Sequence, residues 1–132
     1  MLKKSKDNLS DKLLVWYDKT KKPMPWRDDN DIYHIWLSEI MLQQTQITTV
    51  IPYYYKWLEK FPTIKDVAMA DEQEILKMWE GLGYYSRALN FLNACKTIML
   101  EYDGIIPKEK ESFLKLKGVG QYIDAAVRSI AY

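Results

Sequence analysis

The sequence predicts an all-α fold built from short helices. Three observations carry that reading. Apolar residues recur at spacings of three and four along most of the chain. No segment alternates apolar and polar residues for long enough to be a strand. The breakers fall between the periodic stretches: glycine at Gly81, Gly83, Gly104, Gly118 and Gly120, proline at Pro23, Pro25, Pro52, Pro62 and Pro107.

Taken in order, Leu9, Leu13, Trp16 and Tyr17 mark a first helix from about Asn8 to Lys19. Asp31 is a natural cap for a second, running to about Gln44 with Ile32, Ile35, Trp36, Ile40 and Met41 inside it. A third spans Thr48 or Thr49 to Lys60 and takes Pro52 in its first turn, where a missing N–H costs little. Thr63 to Ala68 and Asp71 to Trp79 are short helices, each opened by a capping residue. Ser86 to Tyr102 is a long helix stopped at Gly104. Glu109 to Leu114 is short, and Gln121 to Ala131 is the last.

The 132 residues suffice for one core. With 48% apolar and 28% charged residues the chain is globular rather than disordered. Its net charge of +1 excludes a histone-like basic protein but not a local phosphate site. The first 22 residues hold seven lysines and three aspartates, which reads as a solvated helix face. The one cysteine, Cys95, excludes an internal disulfide framework and any site built from several cysteines of this chain. No apolar stretch follows the N-terminal lysines and no window is apolar enough for a span, so neither a secretory signal nor a membrane segment is expected. A reducing, cytoplasmic setting fits.

Three segments carry chemistry. In Leu116-Lys117-Gly118-Val119-Gly120-Gln121-Tyr122 a helix ends, Gly-Val-Gly turns and a helix begins. The glycines permit positive φ and close approach, and the freed N–H groups with the next helix's N-terminus suit a DNA phosphate. Val119 can plug the hairpin, with Lys115 and Lys117 beside it. An ordinary helix corner accounts for the residues equally well. In Trp36-Leu37-Ser38-Glu39-Ile40-Met41-Leu42-Gln43-Gln44-Thr45-Gln46, Glu39 sits among apolar neighbours, which disfavours its charged form and raises its pKa toward that of a general acid. Gln43, Gln44 and Gln46 bring amides that can read base edges. A surface Glu before a polar linker is the plainer alternative. In Trp79-Glu80-Gly81-Leu82-Gly83-Tyr84-Tyr85-Ser86-Arg87-Ala88, Leu82 and Tyr84 stand at a corner where a wedge could enter a duplex, although a helix corner with its aromatics packed inward is the favoured reading of the residues alone. The lone His34 has no carboxylate or nucleophile at a spacing that suggests catalysis and reads as structural or exposed.

In this order and at these separations the segments resemble the MutY-type adenine DNA glycosylases of the helix–hairpin–helix superfamily. The likeness rests on LSEIMLQQTQ, WEGLGYYSRA, the upstream Pro25-Trp26-Arg27 and LKGVGQY, and runs from about Leu9 to Tyr132. It implies a six-helix lobe over 23–132 with the helix–hairpin–helix near 113–131. It also implies an N-terminal helix within 1–22 that packs on a cluster-bearing lobe truncated here. That helix, around Leu13, Leu14 and Trp16, is then expected to expose apolar surface. The implied reaction is hydrolysis of the N-glycosidic bond of adenine mispaired with 8-oxoguanine or guanine.

Matched residue by residue, Glu39 takes the place of the acid that protonates adenine, and Tyr122 stands beside it. Gln44 and Thr45 fall at the lesion and the intercalation point, with Gln43 beside them as a further base-binding candidate, and Leu82 and Tyr84 at the corner facing 8-oxoguanine. Trp26 and Arg27 line the adenine pocket, and Gly118, Val119 and Gly120 form the phosphate hairpin. The family's [4Fe–4S] cluster has no cysteine ligands in this chain, and no other metal is expected. The family's catalytic Asp would follow the last helix, beyond Tyr132, so this length of chain is expected to be inactive alone. Ile123 replaces a small hydroxylic residue, and Asp124 places a negative charge near the expected phosphate. The expected partner is double-stranded DNA, the expected state a monomer, and the expected location a bacterial-type, nucleoid-associated cytoplasm. Two other readings stay open. An endonuclease III-like glycosylase/lyase would need a lysine where Tyr122 stands. A non-catalytic helix–hairpin–helix module would hold phosphates only.

Overall fold

The computed structural model describes residues 31–131. The expected N-terminal helix, the exposure of its Trp16 face, and the pocket residues Trp26 and Arg27 lie outside the described residues. Within them, seven helices follow one another and no strand occurs: α1 (Ile32–Leu42), α2 (Ile47–Lys60), α3 (Ile64–Ala68), α4 (Glu72–Trp79), α5 (Ser86–Glu101), α6 (Lys110–Leu114) and α7 (Gln121–Ala131). None is long and apolar enough to cross a membrane.

Local chemistry sets the helix starts. The Asp31 carboxylate accepts from the N–H groups of Tyr33 (2.9 Å) and His34 (3.4 Å), two donors that an α-helix cannot satisfy internally. Thr63 with Asp66, and Asp71 with Glu74, form reciprocal capping boxes at α3 and α4. α2 is different. It begins at Ile47 after Gln46, without a side-chain cap, so Pro52 lies in the second turn rather than the first. The carbonyl of Thr48 thereby loses its helical donor, and this residue is exposed, where water can replace it. α5 ends as Asp103 and Gly104 both turn left-handed (φ 53° and 79°) and the Gly104 N–H returns to the carbonyl of Ile98 (3.0 Å).

Packing gathers the helices around an aromatic centre. α5 lies against α3 and α4, α1 against α2 and α7, and α6 against α7. Trp57 of α2 meets Trp79 of α4 and Phe91 of α5 at ring centroid distances of 5.8 and 6.0 Å. Trp36 of α1 meets Phe91 edge-on at 4.7 Å and Phe113 of α6 at 5.2 Å. The hydroxyl of Tyr33 accepts from Trp57 Nε1 (3.0 Å) and donates to the Phe61 carbonyl (2.6 Å), so a polar group in the core is satisfied on both sides. Cys95 is fully buried in α5, and burial pushes its thiol pKa up, which makes it inert packing.

Candidate functional site

The site begins with a helix buried nearly all round. In α1 the side chains from Ile35 to Met41 are all buried, together with Tyr33. A helix in that setting carries whatever polar residue it holds into the interior. Ser38 answers by donating its hydroxyl to the Ile35 carbonyl (2.7 Å). Glu39, 6% exposed, brings a carboxyl into the same surroundings. α7 packs along α1 and bears Tyr122 in its first turn, 50% exposed.

Beyond Leu42 the chain makes a tight turn. Gln43 closes α1 with its N–H on the Ile40 carbonyl, Gln44 is left-handed at φ 60° and exposed, and Thr45 is half-buried. Arg87, from the first turn of α5, reaches into this turn. Its guanidinium donates to the carbonyls of Ile40 (2.7 Å), Met41 (3.2 Å) and Gln43, and approaches Thr45 Oγ1 (3.4 Å). The same group donates to the Gly83 carbonyl (3.2 Å) and reaches that of Leu82 (3.5 Å), while lying over the rings of Trp79 (5.2 Å) and Tyr84 (5.7 Å). Burial lowers its pKa from the ordinary arginine value, and Tyr84 pushes back. Arg87 stands inside the WEGLGYYSRA run, where nothing local assigns it a role. Its partners in the turn lie more than 40 residues earlier, and only the tertiary fold brings them within reach.

The corner that Arg87 holds is braced elsewhere too. Trp79 Nε1 donates to the Gly83 carbonyl (3.0 Å), and the Tyr53 hydroxyl donates to the Glu80 carbonyl. That hydroxyl fills the space where a Cβ on Gly81 would project. Leu82 and Tyr84 do not stand out together: Leu82 is 7% exposed and packs inward, whereas Tyr84, left-handed at φ 49°, is 63% exposed. In this conformation only the aromatic half of the expected wedge faces solvent.

The hairpin joins α6 to α7. Leu116 and Val119 are buried and linked by an N–H to carbonyl bond of 3.1 Å, so Val119 does plug the turn. Gly118 has φ 79°, and a Cβ there would lie 2.8 Å from Cβ of Asn90, so both backbone and space require glycine. Gly120 differs from expectation. It has no positive φ and nothing lies within 4 Å of an added Cβ, so the fold itself does not demand it. Asp124 also departs from its expected place. Its side chain is 2% exposed and accepts from Arg128 Nε (2.9 Å) one turn on, so its charge is paired inside the helix layer instead of facing an incoming phosphate. Ile123 is buried.

Residues 37–131 match the HhH-GPD superfamily of base excision DNA repair proteins. The chain belongs to that superfamily. Among curated HhH-GPD relatives, the adenine DNA glycosylase of Homo sapiens is 43% identical over 129 residues, covering 91% of this chain and 24% of that protein. The enzyme of the same name from Rattus norvegicus is 42% identical, with 91% and 25% covered. That from Buchnera aphidicola subsp. Baizongia pistaciae is 40% identical over 121 residues, with 91% and 34% covered. The chain thus spans about a quarter of its mammalian relatives' length. Among solved structures, a thermostable thymine-DNA glycosylase superposes with a TM-score of 0.77 at 29% identity, over 92% of this chain and 56% of that one. An endonuclease III–DNA complex does so at 0.72 and 20% identity, over 95% and 61%, a likeness of fold.

A four-cysteine iron–sulfur cluster does not fit the residues present. It needs thiolates in proximity, and the chain's one cysteine is buried in a helix as a neutral thiol. Among the described residues no three His, Cys, Asp or Glu side chains come together as ligands. A groove of about 930 Å³ among the described residues, walled by residues such as Ile64, Met99 and Ile105, contains none of the candidate site residues.

Proposed function

We propose that the intact gene product excises adenine opposite 8-oxoguanine or guanine in double-stranded DNA, with Glu39 as the acid. The observation that carries this reading is the Glu39 carboxyl, withdrawn from water in the middle of α1, the helix that packs on α7 behind the Gly118 hairpin. The names of the relatives at 40–43% identity support the choice of adenine.

Adenine leaves poorly as an anion and well once a ring nitrogen is protonated. A carboxyl removed from water favours its neutral, proton-donating form. The deoxyribose then becomes oxocarbenium-like and is captured by water, with a carboxylate nearby to stabilise the charge. The base reaches the acid only after rotating out of the stack, at a cost of a few kcal/mol that a mispair lessens. The backbone N–H groups of the hairpin and the α7 N-terminus would hold a phosphate. Gln44 and Tyr84 would occupy the space the base leaves, and Tyr122 would flank the pocket.

The test is single-turnover adenine release by the intact gene product from a duplex carrying one adenine–8-oxoguanine pair. Glu39→Gln, which keeps the shape and removes the acidic proton, should slow release by about 10²- to 10⁴-fold. Unchanged release would remove Glu39 from the reaction. Borohydride should trap no covalent protein–DNA adduct, because the Tyr122 phenol cannot form a Schiff base; a trapped adduct would favour a lyase instead.

A further inference from the structure

We propose that Arg87 is a positioning residue that locks the 43–46 turn and the 82–84 corner into one unit, so that Gln44 and Tyr84 are presented to DNA together. The proposal deepens the functional reading above and, for its DNA arm, rests on it.

Three non-glycine residues among those described have positive φ: Gln44, Tyr84 and Asp103. Backbone in this region is strained for L-residues and persists only where its surroundings enforce it. Two of the three are candidate DNA contacts on segments 40 residues apart in sequence, and both adjoin the partners of one guanidinium. On one side Arg87 takes the Ile40, Met41 and Gln43 carbonyls, at the end of α1 where the regular helical donors run out and only the Gln43 N–H turns back to Ile40. The positive charge also suits the negative end of that helix. On the other side it takes the Gly83 carbonyl and lies against the Tyr84 ring. Only a planar fork can serve both sets at once. A lysine ammonium is a compact charge with three donors and cannot span them. The capped turn and the aromatic corner therefore cannot shift independently while Arg87 is in place. A helix cap alone would need only the first set.

Amide NMR of the free chain tests this without DNA. Gln44→Gly relieves the left-handed strain in the turn and leaves Arg87 intact. It should move the resonances of Gly83 and Tyr84 across the guanidinium. Asp103→Gly relieves the third left-handed residue, which touches no Arg87 partner, and should leave them in place. Unmoved Gly83 and Tyr84 amides in Gln44→Gly would overturn the proposal. The second arm is a double-mutant cycle in duplex affinity. Gln44→Ala and Tyr84→Ala should depart from multiplicative behaviour by at least about threefold with Arg87 present and should multiply in Arg87→Lys. Multiplicative losses in both backgrounds would overturn it. A wild-type chain that binds no duplex would sink the functional reading, and the amide shifts would still decide the role of Arg87.

Discussion

A methyl group at Gly118 would sit 2.8 Å from Cβ of Asn90 on a left-handed backbone, whereas at Gly120 it would meet nothing. Gly118→Ala should therefore lose about 1–3 kcal/mol of stability in urea unfolding. Gly120→Ala should stay within about 0.5 kcal/mol of the parent. If the hairpin grips a phosphate, Gly120→Ala should still weaken duplex binding, measured by anisotropy at two salt concentrations, because the added carbon stands where the strand must approach. Equal behaviour of the two variants in both assays would mean that the hairpin is only a corner. Residue roles were the hardest part to read from sequence. The burial of Glu39 was only half legible: its apolar neighbours pointed inward, but a surface Glu before a polar linker stayed the plainer reading until the packing of α1 decided it. The direction of Leu82 and the ion pair of Asp124 were not legible, because each depends on what packs across from it.

Helix starts were legible wherever a capping side chain sets them. Asp31, Thr63 and Asp71 each accept the N–H bonds their positions suggested. The start of α2 was not, because Gln46 contributes no side-chain bond and tertiary burial of Ile47 and Val50 decides it. α3 has five residues, too few to hold a helix unaided, so its box and its seat on α5 keep it folded. Thr63→Ala and Asp71→Ala should each cost about 1 kcal/mol, seen as a lowered thermal midpoint with unchanged far-ultraviolet dichroism at 20 °C. No loss in either variant would show that packing alone fixes these ends.

Across the molecule, the aromatic centre joins helices far apart in sequence. Trp57 touches Phe61, Trp79 and Phe91 and donates to Tyr33, so it ties α1, α2, α4 and α5 together. Trp57→Ala should remove about 3–5 kcal/mol. A domain of this size has about 5–15 kcal/mol in total, so the urea midpoint should fall by about a fifth or more. A midpoint within a tenth of the parent's would mean that the rings are not a shared support. The helical class was legible because period and breakers are local properties; this convergence was not, because it pairs residues across five helices. The single cysteine of the chain lies fully inside α5 as an unreactive thiol. A fluorophore or spin label can therefore be attached through a cysteine introduced on the exposed hairpin, at Lys117 for instance, with no native thiol to remove first. The distance from that single label to a labelled oligonucleotide can then be followed as the two meet.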